Sequence, residues 1–304
     1  RLLDLSHSRL VVTSSHAAVN AVHAPHAARF SYCHTPMRYA WDWRLEAGRL
    51  PPIARPLLGA TATLFRWSDR RWSERVDQYA ANSTFVAGRI RRYYGRESVL
   101  VPPPIDIDYY TPDPSTTRNG PFLFAGRLVP YKRADLAAAA AARAGCELII
   151  AGDGPELERL RAGAADHVRF VVGPSDEELR ELLRSARALV FPGVEDFGMI
   201  VCEAFACGCP VIARTEGGAL DSVIDGVHGT LVDGDDVERW AATMQAFEPD
   251  RFDPAVLRAR AARFDTATFD REIREILDEV VRNGPGSPAR ATGRRWLRTA
   301  TLRR

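Results

Sequence analysis

The stretch PFLFAGRLVPYKRADLAAAAAARAGCELIIAGDGPELERLRAG (121–163) decides the fold. FLFAGR (122–127) is a short apolar run that ends in a turn. YKRADLAAAAAARAG (131–145) is an alanine-rich helical stretch closed by Gly145. CELIIAG (146–152) is a second apolar run, and PELERLRAG (155–163) is a second helix. Runs this short, apolar throughout rather than alternating, are strands buried on both faces. The same alternation continues through VRFVVG (168–173), DEELRELLRSA (176–186), RALVFPG (187–193), GMIVCEAFACG (198–208), CPVIAR (209–214) and GTLVDG (229–234). Strands alternating with helices predict an α/β fold with a parallel sheet covered on both sides. Ligands of such sheets bind at the carboxyl ends of the strands.

The first hundred residues repeat the pattern in a looser form. RLVVTSS (9–15), ARFSYCH (28–34), QYAANS (78–83) and SVLVP (98–102) are expected strands, with a helical stretch from about Ile53 to Val76. PPPIDIDYYTPDP (102–114) is read as an extended linker because proline disfavours helix at the residue before it. Two α/β domains are therefore expected, at 1–108 and 109–265. DDVERWAATMQAF (235–247) and two further helical patterns follow. The second of these, TATFDREIREILDEVV (266–281), aligns Phe269, Ile273, Ile276, Leu277 and Val280 on one face. Residues 282–304 hold seven arginines and no acids, and are expected to form a disordered basic tail.

Composition narrows the function classes. The chain has 304 residues, 46% hydrophobic and 26% charged, with a net charge of +2. This is ordinary for a globular protein and gives no reason to expect a nucleic-acid partner. No apolar run is long enough to cross a membrane as a helix. The five cysteines fit neither a zinc nor a redox spacing, so reduced thiols and a cytoplasmic setting are expected. The chain starts at Arg1 rather than at Met, which suggests a fragment.

The polar residues in this frame point to a phosphate ligand. Lys132 is the only lysine among 41 lysines and arginines. Like Arg127, it follows a strand, which brings both cations to the carboxyl edge of the sheet. Arginine grips phosphate as a planar fork and lysine as a point charge. In VEDFGMIVCEAFACG (194–208), Phe197 and Gly198 stand at a helix N-terminus, where N–H groups favour an anion. Glu203 lies in that helix among apolar neighbours. Its carboxylate serves either an internal salt bridge or the hydroxyls of a ligand such as a ribose. Asp106 with Asp108, and Asp233 with Asp235, have D-x-D spacing. The first pair lies in the proline-rich linker and the second in a turn and helix cap, so no metal is expected.

Glu195 and Glu203 form E-x7-E, preceded by GRLVPYKR (126–133). With HTPMRYAWD (34–42), VPPPIDIDYYTP (101–112), AGDGPELERL (151–160) and EGGALDSVIDGVHGTLV (216–232), these motifs resemble the family 4 retaining glycosyltransferases, from about residue 9 to 281. HTPMRY resembles the mannosyltransferase branch in particular. The resemblance implies a GT-B fold, two Rossmann-like domains facing across a cleft, with helix 266–281 crossing back to the N-terminal domain. It implies a nucleotide-sugar donor, GDP-mannose ahead of a UDP-sugar, a glycan or lipid-linked acceptor, and no cofactor. By the same resemblance Arg127 and Lys132 bind the donor diphosphate and Glu203 the ribose. Glu195 contacts the transferred sugar, with Asp196, Phe197 and Gly198 near sugar and phosphate. Ser175 and Glu177 border the base, and His34 faces the reacting sugar.

The chain departs from the family in two places. Asp221 stands where relatives commonly have glutamate. The opening strand and glycine-rich turn are not found before RLVVTSS, so the N-terminal domain is expected to be incomplete and transfer weak. An inactive nucleotide-sugar-binding fragment is the alternative. A nicotinamide-dependent dehydrogenase is a more distant one, because no G-x-G-x-x-G follows a first strand. Eight arginines against three acids between Leu64 and Arg96, with Trp67 and Trp72, suggest either a solvated helix face or peripheral contact with the inner face of a membrane.

Overall fold

The computed structural model describes residues 5–15, 22, 24–42 and 55–286. The chain divides into two compact units. One comprises the residues up to Pro102 together with those from Phe269, and the other runs from Pro103 to Thr268.

The N-terminal unit contains β1 (Leu10–Ser15), β2 (Ala28–Cys33), α1 (Arg38–Trp41), α2 (Arg55–Ser73), β3 (Gln78–Ala81), α3 (Thr84–Tyr94) and β4 (Ser98–Leu100). The four strands form a parallel sheet in sequence order, with Leu10 opposite Ala28, Phe30 opposite Gln78 and Tyr79 opposite Ser98. Strand alternation sends Cys33, Tyr79 and Ala81 to one face, where they meet Val86, Ile90 and Tyr94 of α3. Phe30, Tyr32 and Ala80 go to the other. That face is covered by the last described helix (Thr266–Asn283) through Phe269, Ile273, Ile276, Leu277 and Val280. These five are the apolar stripe expected from the sequence. The hydroxyl of Ser83 caps α3 by accepting from Val86 N–H at 3.0 Å, and Gly95 ends it in the left-handed conformation. The helix expected from Ile53 to Val76 spans Arg55–Ser73. Most of the expected basic tail lies outside the described residues.

The second unit holds β5 (Phe122–Ala125), α4 (Ala134–Ala144), β6 (Leu148–Ala151), α5 (Leu157–Ala162), β7 (Val168–Val171), α6 (Asp176–Ser185) and β8 (Leu189–Phe191). It continues through α7 (Met199–Ala206), β9 (Val211–Arg214), β10 (Gly229–Val232), α8 (Val237–Gln245) and α9 (Pro254–Ala261); the closing helix is then α10. Its six parallel strands run in the order β10-β9-β8-β5-β6-β7. From β5 the chain winds outward through β6 and β7. It then returns to β8 and winds the other way, so the order reverses between β5 and β8. Such a reversal opens a crevice at the carboxyl ends of the two central strands.

One expected element is corrected. The helix read from Tyr131 does not start there. Pro130–Lys132 form a single 3-10 turn, Arg133 adopts φ 59°, and α4 begins only at Ala134. A left-handed arginine costs about 1 kcal/mol or more. The Arg133 guanidinium bonds Asp135 at 3.1 Å and Asp235 at 2.6 Å, contacts that offset the cost and hold the break in place.

Candidate functional site

The residues that follow β5 and β8 build the crevice. After Ala125 the chain turns at Gly126, whose φ is +143°. A side chain here would also meet Lys132, because a Cβ would sit 3.1 Å from the lysine Nζ. Arg127 is exposed and its guanidinium has no partner among the described residues, while the next residue, Leu128, is fully buried and fixes the loop. The 3-10 turn then carries Lys132 back over Gly126. Its Nζ lies 2.9 Å from Glu195 Oε1, with the two side chains 16% and 17% exposed. A pair this sheltered is screened by water far less than a surface pair.

Glu195 is held from its own side. After β8, Gly193 passes so close to Lys132 that a Cβ would lie 2.8 Å from the lysine Cα. Gly218 N–H donates to the Glu195 carbonyl at 2.8 Å. A Cβ on Gly218 would fall 2.0 Å from the Asp196 carbonyl oxygen, so only glycine lets this strand of loop approach. Phe197 is buried edge-on against Phe264, at 5.6 Å between ring centres, beside Ile105 and Cys202. This anchor leaves Gly198 as the N-cap of α7, with no side chain over the first helical N–H groups. Val201 N–H donates to the Gly198 carbonyl at 3.0 Å, and no side-chain cap covers the Met199 and Ile200 N–H groups ahead of it.

Glu203 lies on the second turn of α7, a helix whose Val201, Cys202, Ala204, Phe205 and Ala206 are all buried. No ion pair reaches its carboxylate among the described residues, so the salt-bridge reading of the sequence is not realised there. Burial pushes its pKa up to about 7; the nearby Asp176 carboxylate adds to the rise and Lys132 opposes it. Lys132 is thus close enough to act on both glutamates.

The remaining candidates make other contacts. Ser175 caps α6: its hydroxyl accepts from Glu178 N–H at 3.2 Å, and its own N–H donates to Glu178 Oε2 at 2.8 Å. Glu177 is exposed and 3.8 Å from Arg180. No hydrogen bond or ion pair joins either of them to Lys132, Glu195 or Glu203 among the described residues. The acid that the sequence reading passed over is their neighbour Asp176, in the same GPSDEELR segment. Asp235 is bonded by Arg133 and Arg214 rather than capping a helix, and Asp236 is the N-cap of α8. Thr215 donates to Asp233 at 2.9 Å. Among the described residues no three acids, histidines or cysteines gather as a metal site. The cysteines are free; four are buried and Cys146 is partly so.

His34 belongs to the N-terminal unit. It follows β2, where the carboxyl ends of three strands converge. Ser14 Oγ lies 2.8 Å from His34 Nε2, and Asn82 donates to the His34 carbonyl at 3.0 Å. The imidazole itself is exposed and stands edge-on to Tyr32. The following HTPMRYAWD segment is pinned at its far end, where Trp41 Nε1 donates to Asp69 at 2.8 Å and Asp42 pairs with Arg89. Ser14 and Asn82 carried no recognisable signal in the sequence, because their role depends on strand neighbours far apart in the chain.

An open depression of about 800 Å³, lined by Pro112, Arg118, Arg187, Gly208 and Pro254 among others, lies at the opposite edge of the same sheet. Its arginines are already engaged: Arg118 donates to the Gly208 and Phe252 carbonyls and Arg187 to that of Phe247. The chemistry gathers at the carboxyl edge instead.

Residues 115–264 match the family described as glycosyl transferases group 1. The chain is 36% identical over 227 residues to a D-inositol 3-phosphate glycosyltransferase of Mycolicibacterium smegmatis, covering 65% of this chain and 52% of that one. It is 34% identical over 199 residues to a GDP-mannose-dependent alpha-(1-6)-phosphatidylinositol monomannoside mannosyltransferase of the same organism, covering 56% and 52%. The chain spans about half the length of the curated relatives it matches. In structure it resembles sucrose-phosphate synthase from Thermosynechococcus elongatus (TM-score 0.69, 22% identity, 84% of this chain and 68% of that one). It also resembles Anabaena Alr3699/HepE in complex with UDP (TM-score 0.64, 21% identity, 83% and 72%). The fold is that of the GT-B glycosyltransferases, with two Rossmann-like α/β units.

Proposed function

We propose that this chain, which carries a glycosyl transferases group 1 domain over residues 115–264, transfers a hexose from a nucleotide-diphosphate sugar with retention of configuration, as a member of family 4. The observation that carries the reading is the sheltered Lys132–Glu195 pair at the reversal of strand order, beside the N-terminus of α7 and Glu203. Arg127, Lys132 and the α7 N–H groups take the diphosphate. Glu203 accepts the ribose hydroxyls, and Glu195 contacts the sugar with Asp196, Phe197 and Gly198 around it. Ser175 and Glu177 border the base.

In the reaction the bond between sugar C1 and the β-phosphate oxygen breaks, and its electron pair leaves with the diphosphate. The cations and helix N–H groups receive that charge, as donors aimed at a departing anion do. The acceptor oxygen bonds C1 on the same face, and its proton passes to the departing phosphate. The resemblance of HTPMRY (34–39) assigns His34 to the reacting sugar. No metal is assigned a part, because two cations and a helix terminus supply the positive charge.

The donor we favour is GDP-mannose, supported by HTPMRY (34–39) and by the name of the mannosyltransferase relative. A UDP-sugar is the rival, supported by the UDP and UDP-glucose complexes of Alr3699/HepE. The acceptor is a glycan or a lipid-linked glycan, in keeping with the inositol phosphate and phosphatidylinositol mannoside in the relatives' names. Free thiols support a reducing, cytoplasmic setting, and the arginines and tryptophans of residues 64–96 support peripheral contact at the membrane.

The test is calorimetry with GDP and UDP. Lys132→Ala should lose about 1.5–3 kcal/mol of affinity for the preferred nucleotide, the worth of hydrogen bonds to a charged group. Affinity unchanged in the variant would remove Lys132 from the phosphate site.

A further inference from the structure

Helix α2 buries one side and leaves the other bare. Ala62, Asp69 and Ser73 face inward and are nearly inaccessible. Asp69 accepts there from Trp41 Nε1 and from the Tyr94 hydroxyl, each at 2.8 Å, so its charge is spent inside the unit. On the outer side Leu64 is 65% exposed, Phe65 48% and Trp67 67%. A lone exposed apolar residue needs no explanation. Leu64 and Trp67, a turn apart on one stripe, form an exposed apolar strip that water does not favour, and Phe65 lies exposed on its flank.

The charges around this patch are mostly positive. Arg70 and Arg71 are exposed on the last turn of α2, and Arg75 is exposed just beyond it. Glu74 is the exposed acid among them, and it lies 3.5 Å from Arg71. The helix is too charged to be a membrane span, and no described helix is long and apolar enough for one. A surface of leucine, phenylalanine and tryptophan bordered by arginines suits a helix lying in the plane of a bilayer. The apolar side chains enter the acyl boundary, the indole sits at headgroup level, and the guanidinium groups stay at the lipid phosphates.

We infer that α2 docks this protein on an anionic lipid bilayer through Leu64, Phe65 and Trp67, with Arg70 and Arg71 against the lipid phosphates. The contact uses none of the residues assigned to the donor. It can therefore be read with no nucleotide present, and its failure leaves the transfer reading untouched.

The experiment is sedimentation of the full chain with vesicles of phosphatidylcholine alone or mixed with phosphatidylglycerol. The protein should pellet with the mixed vesicles, release as salt rises, and stay in solution with neutral ones. Brominated lipid should quench tryptophan emission, and the quenched component should vanish in Trp67→Phe. Replacing Arg70 and Arg71 together by Gln should lower binding about twenty-five-fold, at roughly a fivefold factor for each surface arginine. Replacing Leu64, Phe65 and Trp67 together by Ser should abolish quenching while the circular dichroism spectrum stays native. The proposal is overturned by failure of the wild-type chain to pellet with anionic vesicles, or by binding that persists in the triple variant. A lower oligomeric mass in the triple variant, without vesicle binding by the wild type, would assign the face to a second copy of the chain instead.

Discussion

At the residue scale, Glu203 is a buried carboxyl whose pKa is displaced into the neutral range. Its folded-state pKa is about 7 against an ordinary 4.5, and burial is the main cause. A carboxyl raised on folding holds its proton more tightly in the native state. The contribution of Glu203 to stability is therefore greatest at low pH, falls as pH rises from about 4.5 to 7, and then levels off. Glu203→Gln should remove that decline, raising the stability of the chain above pH 7 by up to about 3 kcal/mol. The same change should weaken nucleotide binding, because an ionised carboxylate is the stronger acceptor for a ribose diol. In the wild-type chain, affinity should rise with pH through about 7. Chemical denaturation and calorimetry across that range check both halves; a variant that is less stable at pH 8 would contradict the first. Glu195→Ala should behave differently, sparing GDP affinity and lowering sugar transfer, since its assigned contact is with the sugar.

At the scale of elements, the loop from β5 to α4 sets where Lys132 stands. Gly126 combines φ +143° with a Cβ direction that points at the lysine Nζ. Gly126→Ala should cost about 1–3 kcal/mol of stability through backbone strain. It should also displace Lys132 and weaken GDP binding nearly as much as Lys132→Ala does. Thermal melts paired with calorimetry would test this, and full affinity in the alanine variant would show that the lysine finds the phosphate without the glycine.

At the scale of the molecule, the last helix matters to the N-terminal unit and the donor residues belong to the other. Phe269, Ile273, Ile276, Leu277 and Val280 close one face of the four-stranded sheet. Removing Leu277 to Ala should cost about 2–4 kcal/mol, in the usual range for such truncations. Hydrogen exchange should then quicken in β2 and β3, while β5 to β9 stay protected and GDP binding survives. Faster exchange spread equally over both sheets would mean that the two units unfold as one.

The sequence by itself determined the elements. A buried parallel strand has to be apolar on both faces, so FLFA (122–125), LIIA (148–151) and VIAR (211–214) announce themselves, and the 3.6-residue spacing of Phe269 to Val280 marks the closing stripe. Motif resemblance also singled out Lys132, Glu195 and Glu203 together. Tertiary structure decided what local pattern does not encode. The left-handed break at Arg133 depends on Asp235, a hundred residues away, and a helix reading of YKRADL cannot foresee it. Ser14 and Asn82 reach His34 only because three strands align in parallel. The rise in the Glu203 pKa needs the burial of α7 and the approach of Asp176. Periodicity records which side of an element is apolar; distances between residues far apart in the chain arise only when the sheet closes around them.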